Sequence, residues 1–232
     1  MKSFLVVLII LLTLTACKTE QQSEANSETP PAEEAWTADS FTDSIALAHG
    51  YDQWSKVQEI RFTFNVDRGD NHFERSWIWQ PKTDDVTLMS AQDTVRYNRK
   101  DMDSTAIATD KGFINDKFWL LAPYQLVWDE NIEVTVQDTA TAPMSKEVMT
   151  KVTTVYTGDG GYTPGDAYDY FIDDDKVVRE WIYRRGNVSE FSMVTTWEDY
   201  EDLNGLQISK THRAPEDAVK LYFTGIEVMK EE

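Results

Sequence analysis

The chain has 232 residues and carries 41 Asp and Glu against 22 Lys and Arg, a formal charge of −19. A polyanion is repelled by nucleic-acid phosphates, whose binding rests on Lys and Arg, and has no basic patch with which to adsorb onto anionic lipid headgroups. Composition therefore argues against nucleic-acid partners and against electrostatic membrane binding. Its 8 Trp, 10 Tyr and 10 Phe, each able to bury about 150–250 Å², supply enough apolar surface for a sizeable core.

The first element in chain order is an address. Lys2 precedes an unbroken apolar run over residues 4–12, the cationic start and short apolar middle of an export signal, too short to span a bilayer. Leu14-Thr15-Ala16-Cys17 comes next and resembles the lipobox of bacterial lipoproteins, whose cysteine becomes the acylated N-terminus. Cys17 is the only cysteine, so acylation there rules out a disulfide, and stability must come from packing. The expectation is a signal peptide over residues 1–16, lipidation at Cys17, and membrane contact through N-terminal acyl chains, where two or more chains hold far better than one. The location implied is the cell envelope, with the outer membrane favoured because Lys18 replaces the Asp that often marks inner-membrane retention.

Residues 18–35 contain no apolar side chain larger than Ala, five Glu and the Pro30-Pro31 pair, the composition of a disordered spacer. As a coil it would hold the folded domain roughly 25 Å from the membrane. The domain boundaries expected are 17–38 for the acylated cysteine and acidic linker, and 39–232 for a single folded domain.

Ser40 with Asp43 makes a capping pattern. Phe41, Ile45 and Ala48 share a helical face, Gly50 is placed to end the helix, and His49 reads as a helix C-terminal histidine favoured by the dipole. The period then changes to two. Residues 60–67 alternate Ile60, Phe62, Phe64 and Val66 with polar residues, a strand with one wet face. Gly69-Asp70-Asn71 is a turn, and residues 72–79 place Phe73, Trp77 and Trp79 on one face. Shorter alternations lie around Val86 and Leu88, Val95 and Tyr97, and over residues 132–136, 148–156, 168–172, 177–183, 191–197, 206–208 and 221–228. Many short strands joined by hairpin-sized turns indicate an antiparallel meander. One segment departs from this rhythm: residues 115–123, Asn-Asp-Lys-Phe-Trp-Leu-Leu-Ala-Pro, offer an N-cap, an apolar run and a proline stop, which predicts a short helix. Apolar on nearly all sides, it must be buried or must cover something.

Chemistry-bearing patterns are sparse. His49, His72 and His212 are far apart, with no helical i, i+4 metal pair. Asp173-Asp174-Asp175 lacks the glycine and distal Glu of a calcium loop and reads as a hairpin turn. Neither Gly-x-Ser-x-Gly nor a glycine-rich phosphate loop occurs. No catalytic residue, metal or cofactor is expected, and the chain is not read as an enzyme. The aromatic set Phe62, Phe64, Trp77, Trp79, Phe118, Trp119 and Trp181 serves equally as packed core or as the lining of a hydrophobic cavity, since such cavities are lined mainly by apolar and aromatic side chains.

The acylated cysteine, the polar leader, His49-Gly50 before Trp54, the 115–123 segment, and Trp197-Glu198-Asp199-Tyr200 followed by Asn204-Gly205-Leu206 together resemble an uncharacterised family of Gram-negative lipoproteins. That family is similar to the superfamily of the lipoprotein carrier LolA, its outer-membrane acceptor LolB and the mycobacterial lipid carrier LppX. The resemblance implies a mainly β (α+β) fold, a curved, half-open antiparallel barrel with a few short helices over its concave face, and a cavity for a lipid or other hydrophobic ligand such as an acyl chain. The competing expectation is a solid core and an envelope interaction or scaffolding module.

Replacing the acylated residue tests the address. Cys17→Ser is expected to release the protein from the membrane fraction or to leave the precursor uncleaved. Retention of the variant on membranes after a high-salt wash would rule the lipobox out.

Overall fold

The computed structural model describes residues 40–91, 93–158 and 162–231. The expected signal, Cys17 and the linker lie outside the described residues. Helix α1 (Phe41–Ala48) begins where the sequence places it: the Ser40 side chain accepts from the Asp43 backbone N–H at 3.1 Å, satisfying one of the orphan donors of a helix start. Gly50 ends it at φ 87°, the left-handed conformation that favours glycine. A Cβ at this position would lie 1.9 Å from the Gly205 carbonyl oxygen. The His49-Gly50 and Asn204-Gly205 signatures thus meet in space, and the Gln207 backbone N–H donates to the His49 carbonyl at 2.9 Å.

Twelve strands complete the framework among the described residues: β1 (Val57–Arg68), β2 (Asn71–Gln80), β3 (Asp85–Met89), β4 (Thr94–Asn98), β5 (Ile132–Thr141), β6 (Val148–Tyr156), β7 (Ala167–Ile172), β8 (Val178–Arg184), β9 (Met193–Thr196), β10 (Glu198–Leu203), β11 (Leu206–Arg213) and β12 (Lys220–Lys230). All pairings are antiparallel. They form a seven-stranded sheet in the order β10-β11-β12-β1-β2-β3-β4 and a five-stranded sheet in the order β5-β6-β7-β8-β9. Both sheets are open, as the half-open antiparallel expectation requires. The chain passes between them twice. At one passage a single residue, Trp197, separates β9 from β10; its backbone N–H donates to the Arg179 carbonyl at 2.7 Å. At the other, between the edge strands β4 and β5, it runs through a long helix.

That helix, α2 (Ser104–Trp128), corrects the short helix expected over residues 115–123. Its N-cap is Asp103, whose side chain accepts from the Ala106 N–H at 2.8 Å, and Asn115 lies inside it. Pro123 does not stop it. A proline in a helix interior removes the bond from its own N–H to the carbonyl four residues earlier and crowds that carbonyl. The chain absorbs this locally at Leu121 (φ −128°, ψ 23°) and continues for another turn and a half. From Leu120 to Leu126 every residue is buried, which agrees with the all-round apolar character of this stretch. The polar first half is held by charge. Asp116, fully buried, accepts from Arg75 Nε at 2.5 Å, Arg75 Nη2 at 2.6 Å and Trp77 Nε1 at 2.8 Å. Asp110, also fully buried, accepts from Tyr97, Arg99 and Tyr162 at 3.0, 2.9 and 2.9 Å. Phe113, between these two carboxylates, packs edge-on to Trp77 and Trp79.

Two histidines are fully buried. His49 is not a dipole-favoured cation: its Nδ1 bonds the Ile45 carbonyl at 2.7 Å, Nε2 lies 3.4 Å from the Tyr200 hydroxyl, and burial depresses its pKa to about 4. His212 sits among Trp119, Trp197 and Phe223. Neither of its ring nitrogens makes a well-formed hydrogen bond, with only weak contacts to the backbone of Thr196 and Trp119, and burial depresses its pKa to about 3. The Asp173-Asp174-Asp175 run is the β7–β8 hairpin turn, with Asp173 accepting from the Asp175 and Val177 N–H groups.

Stability responds to these buried charges in two testable ways. Burial pushes the Asp116 carboxyl up while the Arg75 guanidinium opposes it, and Asp116→Ala strands Arg75 and the Trp77 N–H without their acceptor. The expected loss is about 3 to 5 kcal/mol in urea unfolding, with most of it recovered in the Arg75→Met, Asp116→Leu pair; an unaltered midpoint for Asp116→Ala would contradict the assignment. The histidines act through pH. Their folded pKa values lie below the unfolded value near 6.5, so the unfolded chain binds protons the native state refuses. Stability should therefore fall as pH drops from 7 to 5, by about 1.4 kcal/mol per pH unit for each histidine once below 6.5. His212→Leu should flatten the slope by about 1.4 kcal/mol per pH unit, its own share, and an unchanged slope would mean that His212 protonates freely in the fold.

Candidate ligand-binding cleft

The site lies between one face of α2 and the five-stranded sheet. Helical spacing sets the face: Lys111, Ile114, Asn115 and Phe118 fall three and four residues apart and so line one side. Strand alternation sets the floor. Tyr168 and Tyr170 project to the same side of β7, and opposite them in register on β8 stand Tyr183 and Trp181, the arrangement in which cross-strand side chains meet. Tyr168 stacks on Tyr183 and on Trp181 at 5.2 Å in each case. Phe118 comes down onto Tyr168 at 4.6 Å, and Trp119 meets Trp181 edge-on at 4.4 Å.

Two adjoining clefts result. One, of about 350 Å³, is aromatic: Phe118, Trp119, Tyr168, Trp181, Tyr183 and Met193 form its walls, with Lys111, Asn115 and Arg185 among its polar lining. The other, of about 390 Å³, is polar: Arg99, Lys117, Gln125, Asp129, Glu130, Asn131 and Tyr156 line it. Ile114, Phe118, Tyr162 and Thr163 line both. Each volume falls at the lower end of the ~300–1,000 Å³ typical of small-molecule sites.

The polar cleft is charged but largely self-satisfied. Arg99 is spent on Asp110. Asp129, whose carboxyl is pushed up by burial, accepts from the Tyr156 hydroxyl and, at 2.8 Å, from the Gln125 amide nitrogen turned toward it. Lys117 has aromatic neighbours instead of an ion pair. Its Nζ lies 5.5 Å from the Trp79 ring centre and 5.6 Å from that of Trp128, and burial lowers its pKa to about 8.

Of the seven aromatic residues singled out from sequence, Phe118, Trp119 and Trp181 surround the aromatic cleft. Phe62, Phe64, Trp77 and Trp79 lie on the seven-stranded sheet: Phe62 and Phe64 pack on Phe223, Trp77 and Trp79 on Phe113. The structure adds Tyr168, Tyr183 and Met193 to the aromatic cleft and Lys117, Asp129 and Tyr156 to the polar one. Alternation along residues 168–172 and 177–183 shows that Tyr168 shares a face with Tyr170, and Trp181 with Tyr183, though not that the face meets α2. Among the described residues no group of three or more His, Cys, Asp or Glu is placed to hold a metal ion, and no helix is long and apolar enough to cross a membrane. The arrangement offers apolar walls, hydroxyls and the cationic heads of Arg99 and Lys117 in one cleft and of Lys111 and Arg185 in the other, the equipment for holding a ligand.

No family model matches the chain, and no curated protein matches it. Solved structures similar to it include a DUF1329 family protein from Desulfovibrio piger ATCC 29098 (10% identity, TM-score 0.44), a LolA superfamily protein from Nitrosomonas europaea (6%, 0.47) and an outer membrane lipoprotein-sorting protein domain from Vibrio parahaemolyticus (8%, 0.44); each alignment covers 82% of this chain and 94% of the other.

Proposed function

We propose that this is a lipid-anchored protein of the cell envelope, held in the outer membrane by acyl chains on Cys17, whose folded domain over residues 39–232 binds a hydrophobic ligand without catalysing a reaction. The observation that carries the ligand half of this reading is the aromatic cleft, where Phe118 and Trp119 of α2 face Tyr168, Trp181 and Tyr183 across about 350 Å³ of unfilled space. A half-open groove with aromatic walls is the usual form of a small-molecule site, and it stabilises a bound apolar group by roughly 25 cal/mol for each Å² removed from water. Phe62, Phe64, Trp77 and Trp79 have a different part in this proposal: they are the packed wall behind the helix. The lipobox, the acidic spacer and the sequence resemblance to LolA-like lipoproteins support the envelope half.

The test is direct. The chain without residues 1–17, purified free of detergent, is expected to carry a reproducible amphiphile in its organic extract and to show the corresponding mass shift in native mass spectrometry. Phe118→Ser, with an unchanged circular dichroism spectrum, should weaken binding by about tenfold, the scale of losing one aromatic contact. Absence of any extractable ligand, together with no saturable binding of hydrophobic fluorescent probes, would turn the assignment to a scaffolding module with a solid core.

A further inference from the structure

The second cleft says what sort of head the ligand carries. Resting on the ligand-binding reading above, we infer that the protein takes a single-chain amphiphile with an anionic headgroup, its tail among Trp119, Tyr168 and Trp181 and its anion on Lys117. The two clefts share Ile114, Phe118, Tyr162 and Thr163 as a common wall, so one molecule can lie across both. Of the two cations lining the polar cleft, Arg99 is neutralised by Asp110 at 2.9 Å. Lys117 makes no ion pair of 4 Å or less among the described residues, although it is desolvated enough for its pKa to fall to about 8.

The Lys117 ammonium is half-buried and feels the charges of Asp129, Asp110 and Asp84, but it makes contact with none of them, and a desolvated ammonium without a contacting anion is costly to the fold. Its aromatic neighbours Trp79 and Trp128 return only part of that. Asp129, the carboxylate whose charge acts most on Lys117, turns its oxygens to the Tyr156 hydroxyl and the Gln125 amide and not to the ammonium. An anion brought by a ligand completes the set: it meets Lys117, with the Thr163 hydroxyl and the Asn131 amide among the polar groups lining the same space. Size restricts the tail. A cleft of about 350 Å³ is at the small end of drug-sized sites, which suits one acyl chain and not the several chains of a lipoprotein N-terminus.

Equilibrium dialysis of the full chain in phosphatidylcholine nanodiscs, with empty nanodiscs subtracted, separates the parts. The probes are dodecanoate, dodecyl phosphate and dodecanol, which share a tail and differ in head. Wild type should bind one or both anions about tenfold or more tighter than the alcohol, the scale of a charge-assisted hydrogen bond; a tighter carboxylate points to free fatty acids as the source and a tighter phosphate to phospholipid-derived amphiphiles. Lys117→Met should erase the preference by weakening both anions about tenfold more than it changes dodecanol, and Lys117→Arg should retain it. Because Lys117→Met removes a desolvated charge that makes no contact ion pair, its melting temperature should equal or exceed that of wild type, which shows the variant is folded. Dodecanol binding as tightly as both anions in wild type would overturn the headgroup assignment and leave the aromatic site standing; no saturable binding of any probe would overturn both.

Discussion

Two fully buried carboxylates decide how this structure closes. Asp110 and Asp116 lie on α2 and can remain in the interior only because Arg99 and Arg75, from the β4 end and β2, come in to meet them. Unpaired, each would cost several kcal/mol. The pairs therefore fix the rotation of the helix about its own axis. With that rotation set, Phe113 faces Trp77 and Trp79 of the seven-stranded sheet, and Ile114 and Phe118, one and five residues on, face the five-stranded sheet. Both the core on one side and the cleft on the other depend on the same two contacts. Tyr162 adds a third constraint, since its hydroxyl donates to Asp110 at 2.9 Å while its ring lines both clefts.

The proline in α2 has a partner across the core. A residue at 123 without an N–H leaves the carbonyl of Trp119 without its usual helical donor, and His212, on β11, lies against Trp119 with only weak backbone contacts for its ring. An orphan acceptor and an under-satisfied imidazole are thus placed side by side. His212 in turn packs edge-on against Trp197 at 4.3 Å, the residue through which the chain leaves one sheet for the other. The irregular turn of the helix, the buried histidine and the passage between sheets form one contiguous unit.

The strands were legible because one wet and one dry face impose a period of two, and Ser40 with Asp43 was legible because capping is local. The first half of α2 was hidden: residues 104–112 are mostly small or polar, and their helical state is enforced by Asp110 and Asp116 meeting arginines distant in sequence. Strand β10 was hidden as well, because Glu198, Asp199, Glu201 and Asp202 make it an acidic edge with no apolar alternation, held by pairing with β11. The aromatic residues were visible as a set, but periodicity cannot say that Phe62 and Trp181 belong to different sheets. Lys117 carried no signal at all. Its character comes from packing against Trp79 of β2 and Trp128 at the far end of the same helix, contacts that no short-range pattern records.

Strand order also dictates an order of assembly. The five-stranded sheet is a meander in which every strand pairs with its immediate successor, so its contacts are local and close small loops. The seven-stranded sheet has β1 paired with β12, Val57 opposite Lys230, a contact between the two ends of the described chain. Closing so long a loop is slow relative to forming hairpins, and until it closes β1 has one edge unpaired. Such an edge is a template for pairing with other chains. Charged side chains are a common means of discouraging pairing at an open edge, and Glu59, Arg61 and Asp67 supply them along β1, the strand that lies at the centre of the finished sheet.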